Sequence, residues 1–289
     1  MNLFKFRTPP AERQLSAGAQ GDGAAYPAQT EELPEMSFLD HLEDLRWCIL
    51  KGIGGVLLAT IVCSFFASWI IDSLLLGPTH ADFFMYDFFG LNASEIQLQN
   101  RNITGQFFAY WGTVLAVGLI AGSPIVVYQF WRFLEPGLYA NEKKGLRYAA
   151  FAATFFFVLG LSFGYLVITP LALQFFQNFS ISDQIINEFD ISRYFSMVTM
   201  WSFGAGVIFE LPVVIYFLAK LGIVTSQLMR ASRKYALIVI LVIAAILTPP
   251  DVISQILVAI PMLLLYELSI FIAQIVERNR ERDLKKALE

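Results

Sequence analysis

The stretch YAAFAATFFFVLGLSFGYLVITPLALQFFQNFSIS, residues 148–182, contains no Asp, Glu, Lys or Arg. It is 35 residues long, whereas a helix of about 20 apolar residues is enough to cross a hydrocarbon core about 30 Å thick. Its apolar residues lack the strict alternation that strands of a membrane barrel require. Because helices satisfy their own backbone hydrogen bonds in lipid, the stretch predicts a membrane-spanning helix.

Two further charge-free windows lie upstream, at 52–71 and 102–131. The chain of 289 residues is 56% hydrophobic and only 15% charged, with a mean hydropathy of +0.59, whereas soluble domains carry about 25% charged residues. We therefore predict an all-α polytopic membrane protein. Helices are predicted near 48–71, 106–132, 148–170, 194–219, 235–248 and 252–274.

The last two predicted helices are short. Tyr235–Leu247 has 13 residues, which gives about 20 Å of helix, roughly 10 Å less than the hydrocarbon core. The stretch LTPPDV, residues 247–252, forms the turn that follows, because its two prolines forbid helix continuation. Such a hairpin either enters and leaves by one side of the membrane or spans a locally thinned bilayer.

Basic residues are concentrated in alternate connecting segments. Four segments hold 18 of the 20 Lys and Arg residues: 1–51, 132–147, 220–234 and the tail from 278 onward. The segments between them hold only Arg101 and Arg193. Since Lys and Arg favour the cytoplasmic side, both termini are predicted to lie in the cytoplasm.

Composition predicts three regions. Residues 1–35 are rich in Ala, Gly, Pro, Gln and Glu, and we expect a disordered cytoplasmic tail. Residues 36–275 form the predicted transmembrane domain, and 276–289 a charged cytoplasmic tail. On the predicted outer side, the segment 72–105 contains DFFMYDFFG. This pattern is typical either of an interfacial aromatic belt or local packing, or of a lid over part of the outer surface.

The sequence lacks the motifs of several enzyme classes. It contains no GxxxxGK[ST] phosphate loop and no HExxH zinc site, and His41 and His80 are its only histidines. We therefore expect a protein that is not an enzyme, needs no metal or cofactor, and contacts lipid rather than nucleic acid. Any transport it performs would draw energy from an ion gradient or from partner proteins.

Glu210 lies inside the fourth predicted helix, in GVIFELPVV. An acidic side chain at bilayer depth is costly and usually functional, and Pro212 is expected to kink the helix beside it. One interpretation is a carboxyl group that is protonated or hydrogen-bonded within the bundle and holds helices together. The other is a polar contact for a partner or a translocating segment. Gln255, shortly after Asp251, is placed to hydrogen-bond across helices.

The stretch SFLDHLEDLRWCIL, residues 37–50, places three carboxylates where the chain enters its first apolar window. Asp40 fits the S-x-x-D pattern of a helix N-terminus. Glu43 is spaced to pair with Arg46, whereas Asp44 has no Lys or Arg three or four positions away. These acids either lie in solvent at a helix start, where the helix dipole favours negative charge, or bind a positively charged ligand.

Four motifs occur in order along the chain: HLEDLR (41–46), SPIVVYQFWRFLEPGLYANEKK (123–144), FGAGVIFELPVV (203–214) and LTPPDVISQILVAIPMLLLYEL (247–268). Together they resemble the TatC family, the multi-spanning core of the twin-arginine protein translocase. The resemblance covers roughly residues 36–275. It implies six transmembrane helices in the bacterial cytoplasmic membrane with both termini inside, so that the short hairpin becomes two thin spans.

The resemblance implies a surface that binds signal peptides. In the family, recognition of the paired arginines falls on the acid of the first signature, which is Asp44, and on a Glu of the first inner loop, which is Glu142. The usual signature, HLxELR, has Glu where this chain has Asp44, so the neighbouring Glu43 is a second candidate. Arg46 and Phe133 match other signature positions around this surface.

The resemblance also implies a task and partners. Family members pass folded proteins across the membrane with the proton-motive force rather than ATP. They act in an oligomeric complex with single-span TatA-type subunits and, where present, TatB-type subunits. Glu210, Asp251 and Gln255 match intramembrane polar positions at which such partners are contacted. The alternative is an ion-coupled secondary transporter with Glu210 as its coupling acid.

Overall fold

The regular secondary structure of the described residues is helical apart from one pair of two-residue strands. The computed structural model describes residues 38–134, 143–182, 184 and 187–288. The prediction of an all-α polytopic fold is confirmed. The helices are α1 (Phe38–Phe65), α2 (Ala67–Trp69), α3 (Phe84–Phe89), α4 (Gly105–Leu134), α5 (Lys143–Phe163), α6 (Thr169–Asn178), α7 (Ile191–Phe209), α8 (Leu211–Lys220), α9 (Ser226–Ala231), α10 (Arg233–Leu247) and α11 (Val252–Leu288). The parallel strands are β1 (Leu98–Gln99) and β2 (Phe189–Asp190).

Membrane spans are formed by long single helices and by helices joined end to end. Over the described residues, five segments are long and apolar enough to cross a bilayer: Leu42–Phe65, Gly105–Phe130, Ala150–Asn178, Ile191–Lys220 and Val252–Arg282. A π-helical turn, Gly164–Ile168, joins α5 to α6 within the third of them. The predicted short helix is also present, since α10 has 15 residues, or about 22 Å.

The last helix extends beyond its predicted end at 274. α11 continues to Leu288, because residues 275–288 contain no Gly or Pro and consist mostly of good helix formers. Glu277 accepts hydrogen bonds from the backbone N–H and the hydroxyl of Ser226, at 2.7 and 2.6 Å. The first part of the predicted charged tail is therefore a helix held against the start of α9.

The fourth predicted helix is divided at Glu210 into α7 and α8. Pro212 follows at the start of α8 and has no N–H to continue the hydrogen-bond ladder. Backbone N–H groups of Val213 and Val214 both bond to the Glu210 carbonyl oxygen, at 3.0 Å each. The expected break at Pro212 is confirmed, and it places the only acid of this span at a bend.

Glycines bring α1 and α4 into direct backbone contact. A Cβ atom added at Gly118 would lie 2.6 Å from the Cα atom of Thr60, and one added at Gly122 would lie 2.8 Å from the Cα atom of Val56. Real Cβ atoms do not approach other carbons so closely, so only glycine fits these positions. Such small-xxx-small contacts are a common way for membrane helices to associate, since lipid gives no hydrophobic driving force between them.

A second glycine pair joins α5 to α7. A Cβ atom at Gly160 would lie 2.8 Å from the Cα atom of Gly206, and one at Gly164 would lie 2.5 Å from the Cα atom of Ser202. Aromatic rings close this contact from the side, where Phe163 lies 5.3 Å from Phe209 between ring centroids. The α5–α7 pair thus forms the centre of the bundle.

The segments 66–104, 179–182 and 187–190 lie at one end of the bundle, which we call the outer face after the predicted orientation. Tyr86 donates to the Pro78 carbonyl and Tyr194 donates to the Leu75 carbonyl, both at 2.6 Å. The aromatic stretch on this face is packed in part and exposed in part. Met85 and Tyr86 are buried, while Phe88 is 77% exposed. Local packing and an exposed aromatic surface therefore alternate along α3.

Asp251 begins α11 by capping it. One carboxylate oxygen, Oδ2, accepts from both the backbone N–H and the hydroxyl of Ser254, at 2.8 Å each. The backbone hydrogen bond from Ser254, assisted by the hydroxyl bond, lowers the pKa of Asp251 below its usual value. Gln255 then donates to the Leu241 carbonyl at 3.1 Å. Asp251 thus fixes the end of the turn between α10 and α11, and Gln255 joins α11 to α10.

Replacing Gly118 by Ala is expected to destabilise the protein, because the added Cβ atom would lie 2.6 Å from the Cα atom of Thr60 as well as against the Thr60 side chain. The backbone cannot move aside as a side chain can. Overpacking of this kind costs about 1–3 kcal/mol. Thermal unfolding in detergent measures the effect. The matched control is Gly112→Ala on the same helix, where a Cβ atom meets nothing within 4 Å. Equal melting temperatures for the two variants would show that α1 and α4 are not in backbone contact.

Replacing Asp251 by Ala is expected to cost about 1 kcal/mol at neutral pH, the usual loss for an N-cap. Because the folded-state pKa is lower than the ordinary value of 3.8, the ionised cap stabilises the fold at pH values well above 3.8. This stabilisation is lost as the pH falls through the folded-state pKa. The difference in melting temperature between wild type and Asp251→Ala should therefore shrink under acid. Asp82→Ala, at an exposed outer-face acid, serves as the control and should show no such dependence.

Candidate functional site

The acidic start of α1 lies beside the end of α4. The facing pairs are Thr60 with Gly118, Val56 with Gly122 and Gly52 with Val126. The two helices are therefore antiparallel: each step of four residues toward the start of α1 matches a step of four residues toward the end of α4. Continued for two more turns, this register brings Asp44 level with Leu134, the last residue of α4, and with its neighbour Phe133. Phe133 is half-buried.

Glu43, Asp44 and Arg46, near the start of α1, are not paired with one another. Glu43 and Arg46 are exposed and Asp44 is half-buried. The ion pair that the sequence spacing predicts between Glu43 and Arg46 is not formed, and none of the three makes a salt bridge within the described part of the chain. An exposed pair at this spacing is worth only about 0.2–0.5 kcal/mol. Neither carboxylate is therefore neutralised by a cation of the described residues.

The second predicted arginine contact, Glu142, lies outside the described residues, which resume at Lys143. The flanking helices are held together, since Val127 of α4 packs with Ala150 and Ala153 of α5. The end of α4 and the start of α5 consequently lie at the same end of the bundle as Asp44.

Glu210 has no polar partner within the described residues. It lies ten residues before Lys220, or about 15 Å along the span. Its side chain is half-buried, and its Oε1 atom is buried with no hydrogen-bond partner there. The hydrogen bonds that would let this acid hold neighbouring helices together are thus not formed in the described chain. An acid left unsatisfied at this depth is costly, which favours a contact supplied from outside.

The two polar residues after the α10–α11 turn have different roles. Gln255 makes the predicted hydrogen bond across helices, to Leu241 of α10. Asp251 instead caps its own helix through Ser254. The D-x-x-S spacing is a recognisable capping signal, although the sequence interpretation emphasises partner contact at this position.

Sequence patterns do not single out Arg193, a cation at the start of α7. Its side chain is exposed, and it makes no ion pair among the described residues. The available signal is its location, because Arg101 and Arg193 are the two basic residues outside the base-rich segments. Arg101 is engaged with Glu188 at 2.6 Å, so Arg193 is the one of the two without an ion-pair partner among the described residues.

Comparison with known proteins gives a consistent result. The family described as "Sec-independent protein translocase protein (TatC)" matches residues 40–261. The TatC protein of Blattabacterium sp. subsp. Periplaneta americana is 33% identical over 86% of this chain and 99% of its own length. The TatC protein of Aquifex aeolicus is 33% identical over 87% of this chain and all of its own length.

Solved structures agree with the sequence comparison. A crystal structure of the twin arginine translocase receptor TatC superposes with a TM-score of 0.65 at 33% identity, covering 82% of this chain and 99% of that one. A second crystal structure of that receptor, in the detergent DDM, gives a TM-score of 0.66. This chain is therefore a multi-pass membrane protein of the TatC family, a subunit of the Sec-independent protein translocase.

Proposed function

We propose that this protein receives twin-arginine signal peptides on the surface formed by the start of α1 and the end of α4. The observation that carries the proposal is the pair Glu43–Asp44, two carboxylates without a cation among the described residues. The register of α1 on α4 brings Asp44 level with Phe133. Two guanidinium groups of a signal peptide would supply the missing charge, on Asp44 and on Glu142.

The chemistry of arginine explains why a pair of them is required. A guanidinium group is planar and always charged, and it can give two parallel hydrogen bonds to one carboxylate. The ammonium group of lysine is a compact point charge and cannot reproduce this geometry. Because neither Glu43 nor Asp44 has an ion-pair partner among the described residues, no such pair has to break when a guanidinium group binds. The surface therefore discriminates by hydrogen-bond direction as well as by charge.

At the acid position of the first signature, two neighbouring carboxylates, Asp44 and Glu43, take part in the arginine contact. Asp44 has one methylene less than the usual Glu, and it is half-buried, whereas Glu43 is exposed. Since Glu43 is not engaged by Arg46, both carboxylates are available. We infer that Asp44 makes the directed contact and that Glu43 adds to the local negative potential. Arg46 and Phe133 complete the surface around them.

We further propose that Glu210 meets a TatA-type helix or an inserted signal peptide at bilayer depth. The buried Oε1 atom without a described partner supports this contact. Gln255, at the outer end of the short hairpin, provides a second polar position for TatA-type or TatB-type subunits, and Asp251 holds the helix start beside it by capping α11. In this proposal the protein acts in an oligomeric complex of the bacterial cytoplasmic membrane, with both termini cytoplasmic. It uses the proton-motive force to export folded proteins.

Replacing Asp44 by Asn is expected to weaken binding of a twin-arginine precursor at least about tenfold, since a charge-assisted bidentate pair is lost. Glu43→Gln should weaken binding less, and the double variant most. Site-specific crosslinking of a precursor to purified protein measures the effect. Asp87→Asn, an exposed acid on the outer face, is the matched control. Crosslinking that is undiminished in both the Asp44 variant and a Glu142→Gln variant would refute the proposed surface.

Replacing Glu210 by Leu is expected to raise the melting temperature, because a buried carboxyl oxygen without a partner costs about 1–3 kcal/mol. The same variant should still crosslink to the signal peptide but lose export and crosslinking to the TatA-type helix. The control is Glu267→Leu, which removes an acid that is paired with Arg233 at 2.8 Å and should not raise stability.

Two outcomes would contradict this role of Glu210. Normal export by Glu210→Leu would show that the acid makes no contact needed for transport. Uptake of a small solute by the wild-type protein alone in liposomes, abolished by Glu210→Leu, would favour the ion-coupled transporter instead.

A further inference from the structure

A groove of about 380 Å³ lies between α6 and α7 at the outer face. Its walls are mostly apolar and its rim carries the polar residues. The walls are formed by Leu173, Phe176, Phe179, Tyr194, Met197 and Trp201, and the charged residues at the rim are Glu188, Asp190 and Arg193. The groove is separate from Glu43, Asp44 and Glu210, which do not line it.

The groove descends along the membrane spans. Its walls belong to the outer ends of the spans Ala150–Asn178 and Ile191–Lys220. Arg193, Met197 and Trp201 follow one another at four-residue intervals, so they lie on one face of α7 over about 12 Å. Trp201 is only 7% exposed and closes the deep end, whereas Met197 is 43% exposed and leaves the side open.

Of the three charged side chains at the rim, only that of Arg193 is not engaged by another described residue. Glu188 pairs with Arg101 at 2.6 Å. Asp190 caps α7, with Oδ1 accepting from the backbone N–H groups of Ser192 and Arg193 at 3.0 and 3.1 Å. Both acids are therefore engaged by groups other than the Arg193 side chain. The Arg193 guanidinium makes no ion pair in the described part of the chain.

The groove has apolar walls, a cation at its rim and a volume of about 380 Å³. This volume lies within the range of about 300–1,000 Å³ found for small-ligand sites. The fitting occupant has an acyl chain for the apolar walls and an anionic group for the cation at the rim.

We propose that this groove binds one phospholipid of the outer leaflet, with an acyl chain against Met197 and Trp201 and its phosphate on Arg193. At this depth the bilayer around the protein supplies phospholipids directly. The lipid would fill the seam between α6 and α7 and join the outer face of the protein to the bilayer. The site extends beyond the proposed signal-binding surface and does not depend on it.

The test is lipid retention by the purified full-length protein, measured by native mass spectrometry. The delipidated protein in detergent is titrated with dioleoylphosphatidylglycerol and, separately, with dioleoylglycerol, which has the same chains without phosphate. Wild type should retain one phosphatidylglycerol and bind dioleoylglycerol at least about tenfold more weakly. Arg193→Gln should bind phosphatidylglycerol about as weakly as wild type binds dioleoylglycerol.

A pair of methionine variants separates the groove from the general lipid surface. Met197→Trp fills the groove and should abolish retention. Met200→Trp, at a methionine that is 58% exposed on the same helix but does not line the groove, should retain the lipid as wild type does. If Met197→Trp fails to fold, the comparison of Arg193→Gln with wild type still tests the proposal. Arg193→Gln should fold, because the Arg193 side chain has no described partner to lose.

Three results of these binding measurements would overturn the proposal. They are equal retention by the two methionine variants, unchanged phosphatidylglycerol binding by Arg193→Gln, and equal affinity of wild type for the two lipids. Loss of a crosslink to a partner helix in Met197→Trp, with lipid retention intact, would assign the groove to that helix and overturn the lipid assignment.

Discussion

Backbone contact between α1 and α4 determines where the acidic start of the chain's first helix lies. Gly118 and Gly122 allow α1 to approach until Thr60 and Val56 touch the α4 backbone. Lipid provides no hydrophobic force between helices, so this close packing supplies the association instead. The register it imposes carries Asp44 to the level of the end of α4. A longer side chain at either glycine would separate the helices and with them the two parts of the proposed signal-binding surface.

The distribution of satisfied and unsatisfied charges distinguishes structural from binding residues. Asp251 and Glu277 have their carboxylates occupied by backbone N–H groups and hydroxyls at helix starts. Glu267 and Glu188 are paired with arginines. In the described part of the chain, by contrast, Asp44, Glu43, Glu210 and Arg193 have no such partner. An unpaired acid within a bilayer is costly, so we attribute Glu210 to a ligand. For Glu43, Asp44 and Arg193 the attribution rests on their places in the proposed signal-binding surface and in the outer groove.

Hydropathy and helix punctuation predict most of the fold, because the bilayer imposes strong rules on the chain. Charge-free windows identify the long spans, and Pro212 identifies the break between α7 and α8. The end of α11 was not predictable from hydropathy, since charged residues are good helix formers and the chain continues as a helix into solvent. The glycine contacts were not predictable either, because spacing alone does not show which helix each glycine faces.

Side-chain pairing is the least predictable feature of the candidate site. The spacing of Glu43 and Arg46 permits an ion pair that the structure does not form, because an exposed pair of this kind is worth very little. The hydrogen bond of Gln255, by contrast, was predictable, since a polar side chain in an apolar helix has few partners other than a neighbouring backbone carbonyl. Glu142, which only the family resemblance identifies, lies outside the described residues.

The most direct test of the central claim is a double-mutant cycle between Asp44 and the arginine pair of a signal peptide. Binding is measured for wild type and Asp44→Asn with a signal peptide carrying Arg-Arg and with one carrying Gln-Arg or Arg-Gln. If Asp44 holds one guanidinium, one of the two cycles should give a coupling free energy of at least about 1 kcal/mol. Additive losses in both cycles would show that Asp44 does not contact the arginines.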